Sequence, residues 1–132
     1  MNRIYPIHSL SAAKTYEESI LQGDASHTTC AMENAGRAIG NTILSDFREY
    51  REWPETPRLL VLAGKGLNAG DAFVACESLY KALPGLWVTI VETSPAESLN
   101  PLARNALERL ISTMEDRLQR VSVEAYLSAP QA

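Results

Sequence analysis

The chain has 132 residues, 45% of them hydrophobic, and a formal net charge of −4. That suffices for one domain, residues 1–132, with a core that needs no disulfide support. The basic residues are scattered, and Arg48, Arg51 and Arg58 are interleaved with Glu49, Glu52 and Glu55. This excludes the basic face that nucleic acid demands, and no apolar run approaches the roughly 20 residues that cross a bilayer.

The opening MNRIYPIHSL lacks the continuous apolar core of a signal peptide. Cys30 and Cys76 each fall within an apolar helix pattern and read as small buried hydrophobes of a reducing compartment. Together these features predict a cytoplasmic protein. His8 and His27 sit in polar segments without a partner pattern for a nucleophile dyad or a metal.

In chain order, Ser9 or Ser11 caps a first helix running to about Leu21, which Gly23-Asp24 ends. A second helix starts near Thr28 and runs to about Tyr50, with Ala31, Ala35, Ala38, Ile39 and Ile43 on one packing stripe. Trp53 to Pro57 is a connector, because prolines there deny both helix and ladder hydrogen bonds. Leu59–Ala63 reads as strand one, Asp71–Leu83 as a helix with Asp71 as its N-cap, and Leu86–Glu92 as strand two. Pro101 opens a further helix to about Arg117; Leu118–Val123 reads as strand three and Glu124–Leu127 as a short helical turn. Trp53 and Trp87 are expected to cover the core. This alternation with short connections predicts a Rossmann-like three-layer α/β/α fold with a mostly parallel sheet, incomplete at its C-terminal side.

The chemistry concentrates in Leu59–Leu79, where an apolar run breaks into Gly64-Lys65-Gly66-Leu67-Asn68-Ala69-Gly70-Asp71 and then a helix pattern. A strand, a glycine loop and a helix N-terminus make an anion-binding corner, since free N–H groups and the helix dipole converge there. A P-loop would need Ser or Thr after the lysine, and Lys65 has neither. The G-x-G-x-x-G/A dinucleotide fingerprint fits Gly64–Ala69, with Glu92 as acceptor of a ribose hydroxyl.

A third reading joins the loop to the upstream Met32-Glu33-Asn34-Ala35-Gly36-Arg37-Ala38. The two motifs, in this order, resemble the N-terminal domain of the YjeF family, the NAD(P)H-hydrate epimerases. There a MENAGRA-like helix precedes a strand and a GxGNNGGDGxVxAR-like loop and helix. The resemblance runs over essentially the whole chain, including Ser9–Leu21, and covers the front part of a family domain. It implies an isomerase that interconverts the R and S epimers of hydrated NADH or NADPH, a repair of damaged nicotinamide nucleotides. It further implies substrate contacts from Leu67, Asn68, Ala69, Gly70 and Asp71, and a potassium ion held by Asn68 beside the substrate phosphate. Glu33 and Asn34 would approach the same ligand.

Departures from the pattern carry expectations of their own. Leu67 replaces the first loop asparagine, Ala69 the first glycine of a pair, and Ala72 the glycine after Asp71, while Lys65 stands where proline is common. Each added methyl would crowd a ligand where the backbone took positive φ or lay against phosphate. The family's catalytic aspartate falls beyond Ala132, so none of residues 1–132 is identified as catalytic. On this reading the chain alone binds weakly and turns over little. The alternative is a non-catalytic dimerisation or ligand-sensing module on the same scaffold, with the small-residue helix Thr28–Ile43 as the surface of a homodimer. A weaker third reading is a dinucleotide-binding half-domain of a dehydrogenase, dependent on Glu92.

Overall fold

The computed structural model describes residues 6–129. Met1–Tyr5, scanned above for a signal sequence, and Pro130–Ala132 lie outside them. The elements are α1 (Leu10–Leu21), α2 (Ala25–Tyr50), β1 (Arg58–Ala63), α3 (Leu67–Ala82), β2 (Trp87–Glu92), α4 (Pro101–Met114), β3 (Leu118–Ser122) and α5 (Val123–Ser128). Short 3-10 turns occupy Ala96–Ser98 and Glu115–Arg117. The architecture is Rossmann-like α/β, with a three-stranded parallel sheet in the order β1-β2-β3 flanked by helices.

Local chemistry sets most boundaries. Ser9 caps α1 by accepting from Ala12 N–H, and Asn100 caps α4 by accepting from Leu102 N–H, with Pro101 supplying the pre-set first turn. Asp24, not Thr28, starts α2: its carboxylate accepts from Ser26 N–H, so the helix begins three residues earlier than its apolar pattern. The last helix forms as read, capped by Ser122.

The core lies between the sheet and the α3–α4 layer. Val61, Ala63, Val88 and Ile90 from the strands meet Phe73, Leu79, Leu107, Leu110 and Met114 from the helices. The helix layer continues outward through α2, and here the expected stripe is corrected. Met32, Gly36 and Gly40 are buried, whereas Ala31, Ala35, Ala38 and Ile39 are exposed and Ile43 is half-buried. Glycine wins over alanine because the helices approach too closely for a methyl. A Cβ on Gly36 would lie 2.5 Å from Val74 Cβ and 2.6 Å from Asp71 O. Gly36 and Gly40, one turn apart, therefore form the seam with α3.

Two further expectations shift, at Cys30 and at Trp87. Cys30 is exposed, on the outer side of α2, while Cys76 is buried and its thiol is pushed up to about 12 by desolvation, which leaves it an inert packing group. Trp53, half-buried, stacks on the half-buried Phe47 with ring centroids 3.9 Å apart. Trp87, by contrast, remains 44% exposed, with the Arg117 guanidinium 5.5 Å above its ring.

Candidate functional site

The glycine segment is mostly helix. Gly66, rather than Asp71, is the N-cap of α3, and Leu67, Asn68, Ala69 and Gly70 form its first turn. Asp71 therefore stands one turn inside. Starting at Leu67 lets Leu67 pack against the core and buries Ala69 within it, which a loop could not do. None of Leu67, Ala69 and Ala72 has the positive φ at which a methyl would be strained, and Ala69 is buried in the core.

The glycines divide into two kinds. Gly64 and Gly66 have ordinary φ, and nothing lies within 4 Å of where a Cβ would stand. Their bareness leaves open space at the C-terminal end of β1. Gly70 is required by packing, because a Cβ there would run into Met32 Sδ and lie 3.2 Å from Ala103 Cα. Thus Met32 of the upstream motif seats on Gly70, and Gly36 of that motif seats on Asp71 and Val74. The two motifs are one packed unit.

Gly66 offers α3 no side-chain cap. Ala69 N–H is satisfied by Gly66 O at 3.2 Å, and the N–H groups of Leu67 and Asn68 find no backbone partner among the described residues. Asn68 is exposed and Lys65 is exposed beside it. Asp71, half-buried, has its carboxyl pushed above the usual value by desolvation, and no hydrogen bond or ion pair reaches it among the described residues. A partly desolvated carboxylate three residues after an exposed Asn amide puts two oxygen donors on one helix face. That donor set suits a hard cation. No cluster of three His, Cys, Asp or Glu able to hold a metal occurs among the described residues.

A strap between β2 and α4 fastens this rim. Thr93 donates to Ala63 O through its N–H at 3.0 Å and its hydroxyl at 3.1 Å, and Asn100 N–H donates to Lys65 O at 2.8 Å. Arg104 Nη2 reaches the carbonyls of Glu97 at 3.0 Å and Leu99 at 3.3 Å, holding the strap's turn. The space left between strap and loop is about 10 Å³, the room of a single water. That space is too small for a nucleotide.

Other candidates are placed elsewhere. Glu92 accepts from Arg120 Nη2 at 2.6 Å through Oε1. Glu33 bonds Arg109 Nη1 at 2.9 Å and pairs with Arg37, and Asn34 is exposed on α2 with its amide toward Cys30 Sγ at 3.6 Å. Neither is brought to the rim. Arg109 also donates to Glu77 Oε2 at 2.8 Å, which itself takes Lys81 at 2.8 Å. Burial works to raise the Glu77 carboxyl, but the hydrogen bonds and charges of Lys81 and Arg109 outweigh it and hold it below the usual range. Arg109 is raised, chiefly by the Glu77 hydrogen bond. This clamp ties α2 to α3 and α4. The positioning roles of Met32, Arg104 and Arg109 had no separate sequence signal beyond the Gly36–Gly40 spacing that marks a close helix seam.

Two comparisons with known proteins bear on this site. The family of the YjeF-related protein N-terminus matches residues 29–129, which include both motifs and the whole sheet. The bifunctional NAD(P)H-hydrate repair enzyme Nnr of Pyrobaculum aerophilum is 36% identical over 80 residues. That match covers 60% of this chain and 14% of the relative's own length.

Proposed function

The chain belongs to the YjeF-related N-terminal family, and on that premise we propose that it carries the phosphate- and cation-binding part of an NAD(P)H-hydrate epimerase domain. The observation that carries this reading is the uncapped start of α3 at an open glycine rim, locked by Met32 and Gly36 of the upstream family motif. The free N–H groups of Leu67 and Asn68 and the helix dipole favour a substrate phosphate. Asn68, with Asp71 one turn on, would supply oxygen ligands to potassium next to that phosphate. The ion would offset the charge that an acidic chain presents to an anionic substrate and would repay the desolvation of Asp71.

Leu67, Ala69 and Gly70 contribute differently from a polar loop. Leu67 and Ala69 present backbone to the ligand while their side chains hold the helix start in the core, and Gly70 transmits the position of α2. The hydrated NADH or NADPH would change epimer by proton transfer at a carbon next to nitrogen. We assign no group on the rim, among the described residues, as that acid–base residue, and we expect the chain to bind without rapid turnover, in the cytoplasm and as a homodimer. The second reading, a ligand-sensing module without catalysis, is favoured by the apolar Leu67 at a position where the family offers an amide.

Thermal unfolding in the presence of NADP tests the site. Potassium chloride is expected to raise the midpoint in NADP above that in lithium chloride at equal ionic strength, and Asn68→Ala is expected to remove the difference. An equal midpoint in both salts for the unsubstituted chain defeats the cation assignment. Epimerisation of hydrated NADPH then separates the enzyme reading from the sensor reading.

A further inference from the structure

The glycine rim has little of its own to hold it. Gly64 and Gly66 carry no side chain, nothing lies within 4 Å of where either Cβ would stand, and Lys65 between them is exposed. Its tie to the strap is Asn100 N–H, which donates to Lys65 O at 2.8 Å.

That bond joins two peptide groups whose other ends matter. The donor belongs to the Leu99–Asn100 peptide, and the carbonyl of this peptide, Leu99 O, accepts from Arg104 Nη2 at 3.3 Å. The acceptor belongs to the Lys65–Gly66 peptide. In a trans peptide the N–H lies opposite the carbonyl, so Gly66 N–H points away from the strap. No backbone group takes that N–H among the described residues. Arg104 Nη2 and the two peptides therefore form one row of hydrogen bonds. A charged donor at its head polarises and strengthens the bond that follows.

Arg104 is not in a place that its own helix favours. It stands at the end of the opening turn of α4, where a cation opposes the helix dipole. The same Nη2 also reaches the carbonyls of Glu97 at 3.0 Å and Ala96 at 3.5 Å. The guanidinium thus gathers the end of the 3-10 turn and fixes the plane of the Leu99–Asn100 peptide. A local rule broken in this way is expected where a residue serves a site.

The Lys65–Gly66 peptide is one that could turn over. A flip changes ψ of Lys65 and φ of Gly66, and glycine takes either sign of φ. Turned over, the peptide would set an oxygen where the N–H now stands, and a carbonyl oxygen repels phosphate. We propose that Arg104 is a positioning residue for the start of α3. Through the Leu99–Asn100 peptide it keeps the Lys65 oxygen on the strap, so that this peptide turns its N–H and not its oxygen to an anion. The role rests on the phosphate site proposed above.

Two readouts on the full chain test it. Arg104→Met keeps an aliphatic stem and removes the donor, and exchange of the Asn100 amide hydrogen in the free chain is expected to quicken about tenfold. At a φ of −92° and with open space around it, Gly66→Ala accommodates its methyl and resists the flip. Added to Arg104→Met, it is expected to recover most of the lost protection. In titration calorimetry with NADP in potassium chloride, Arg104→Met is expected to bind about fivefold more weakly, and Arg104→Lys to recover part of the loss. The loss should persist at about 0.5 M salt, which screens the long-range effect of deleting a charge. Unchanged Asn100 exchange in Arg104→Met, or quickened exchange that Gly66→Ala leaves as it is, overturns the row of bonds. Quickened exchange with unaltered NADP affinity, or a loss of affinity that high salt abolishes, overturns the positioning role. An unsubstituted chain that binds no NADP overturns the site reading itself, and with it the role of Arg104 there.

Discussion

The two faces of the sheet are built from similar residues and treated in opposite ways. Leu59, Val61 and Ala63 lie toward α3 and are drawn into a core closed by Phe73, Leu110 and Met114. Leu60 and Leu62, their immediate neighbours, stand largely in the open. On the covered face the helix layer is fitted to within a methyl group, at Gly36 and Gly70, and pinned across α2, α3 and α4 by Arg109. A leucine in β1 thus counts for core stability or not according to its parity in the strand. Composition alone does not say which.

The largest test of this contrast is Gly70→Val. The added side chain meets Met32 Sδ and the α4 backbone, and overpacking of this kind is expected to cost about 3 kcal/mol, read from urea unfolding. Met32→Ala should recover part of that loss, because it vacates the contacted space. Next, Leu110→Ala, fully buried on α4, is expected to cost about 3 kcal/mol as well, with the spread set by how far the cavity collapses.

A smaller effect is expected at the clamp. Arg109→Ala should cost about 1 kcal/mol, since Arg109 is nearly half exposed and its pairs are screened. The sign with pH follows from Glu77, whose folded carboxyl lies below its ordinary 4.5. The stabilisation it gives is present above that ordinary value and lost as pH falls through the lowered one. Arg109→Ala should therefore flatten the acid limb of stability against pH, and an unchanged limb would mean the clamp holds nothing. Smallest of all, Leu62→Ser should change stability by no more than about 0.5 kcal/mol, read from urea unfolding. A loss as large as that of Leu110→Ala would show the open face to be covered.

Much of the fold was legible along the chain. The Leu86–Glu92 strand and the Asn100-Pro101 helix start announce themselves through β-branched content and capping chemistry, and the family motifs are contiguous words. The start of α3 was misplaced, because Asp71 is a good N-cap by type while Gly66 carries no side-chain signal at all. With the helix running from Leu67, Ala69 is buried in the core and Leu67 packs against it. The same holds for α2, where the alanine stripe looks more apolar than Met32, Gly36 and Gly40, yet only the glycines permit the approach α3 makes.

The sequence by itself determined which segments are helix or strand, that the strands run parallel, and the family. These depend on periodicity, caps and turn residues acting over a few positions. Only the tertiary structure decided that Gly70 rather than Gly64 or Gly66 is sterically required, that Glu92 pairs with Arg120, and that Leu60 and Leu62 stand outside the core. Those properties belong to pairs of residues far apart in the chain. Their energies come from excluded volume and charge pairing between faces, and no local preference encodes which faces will meet.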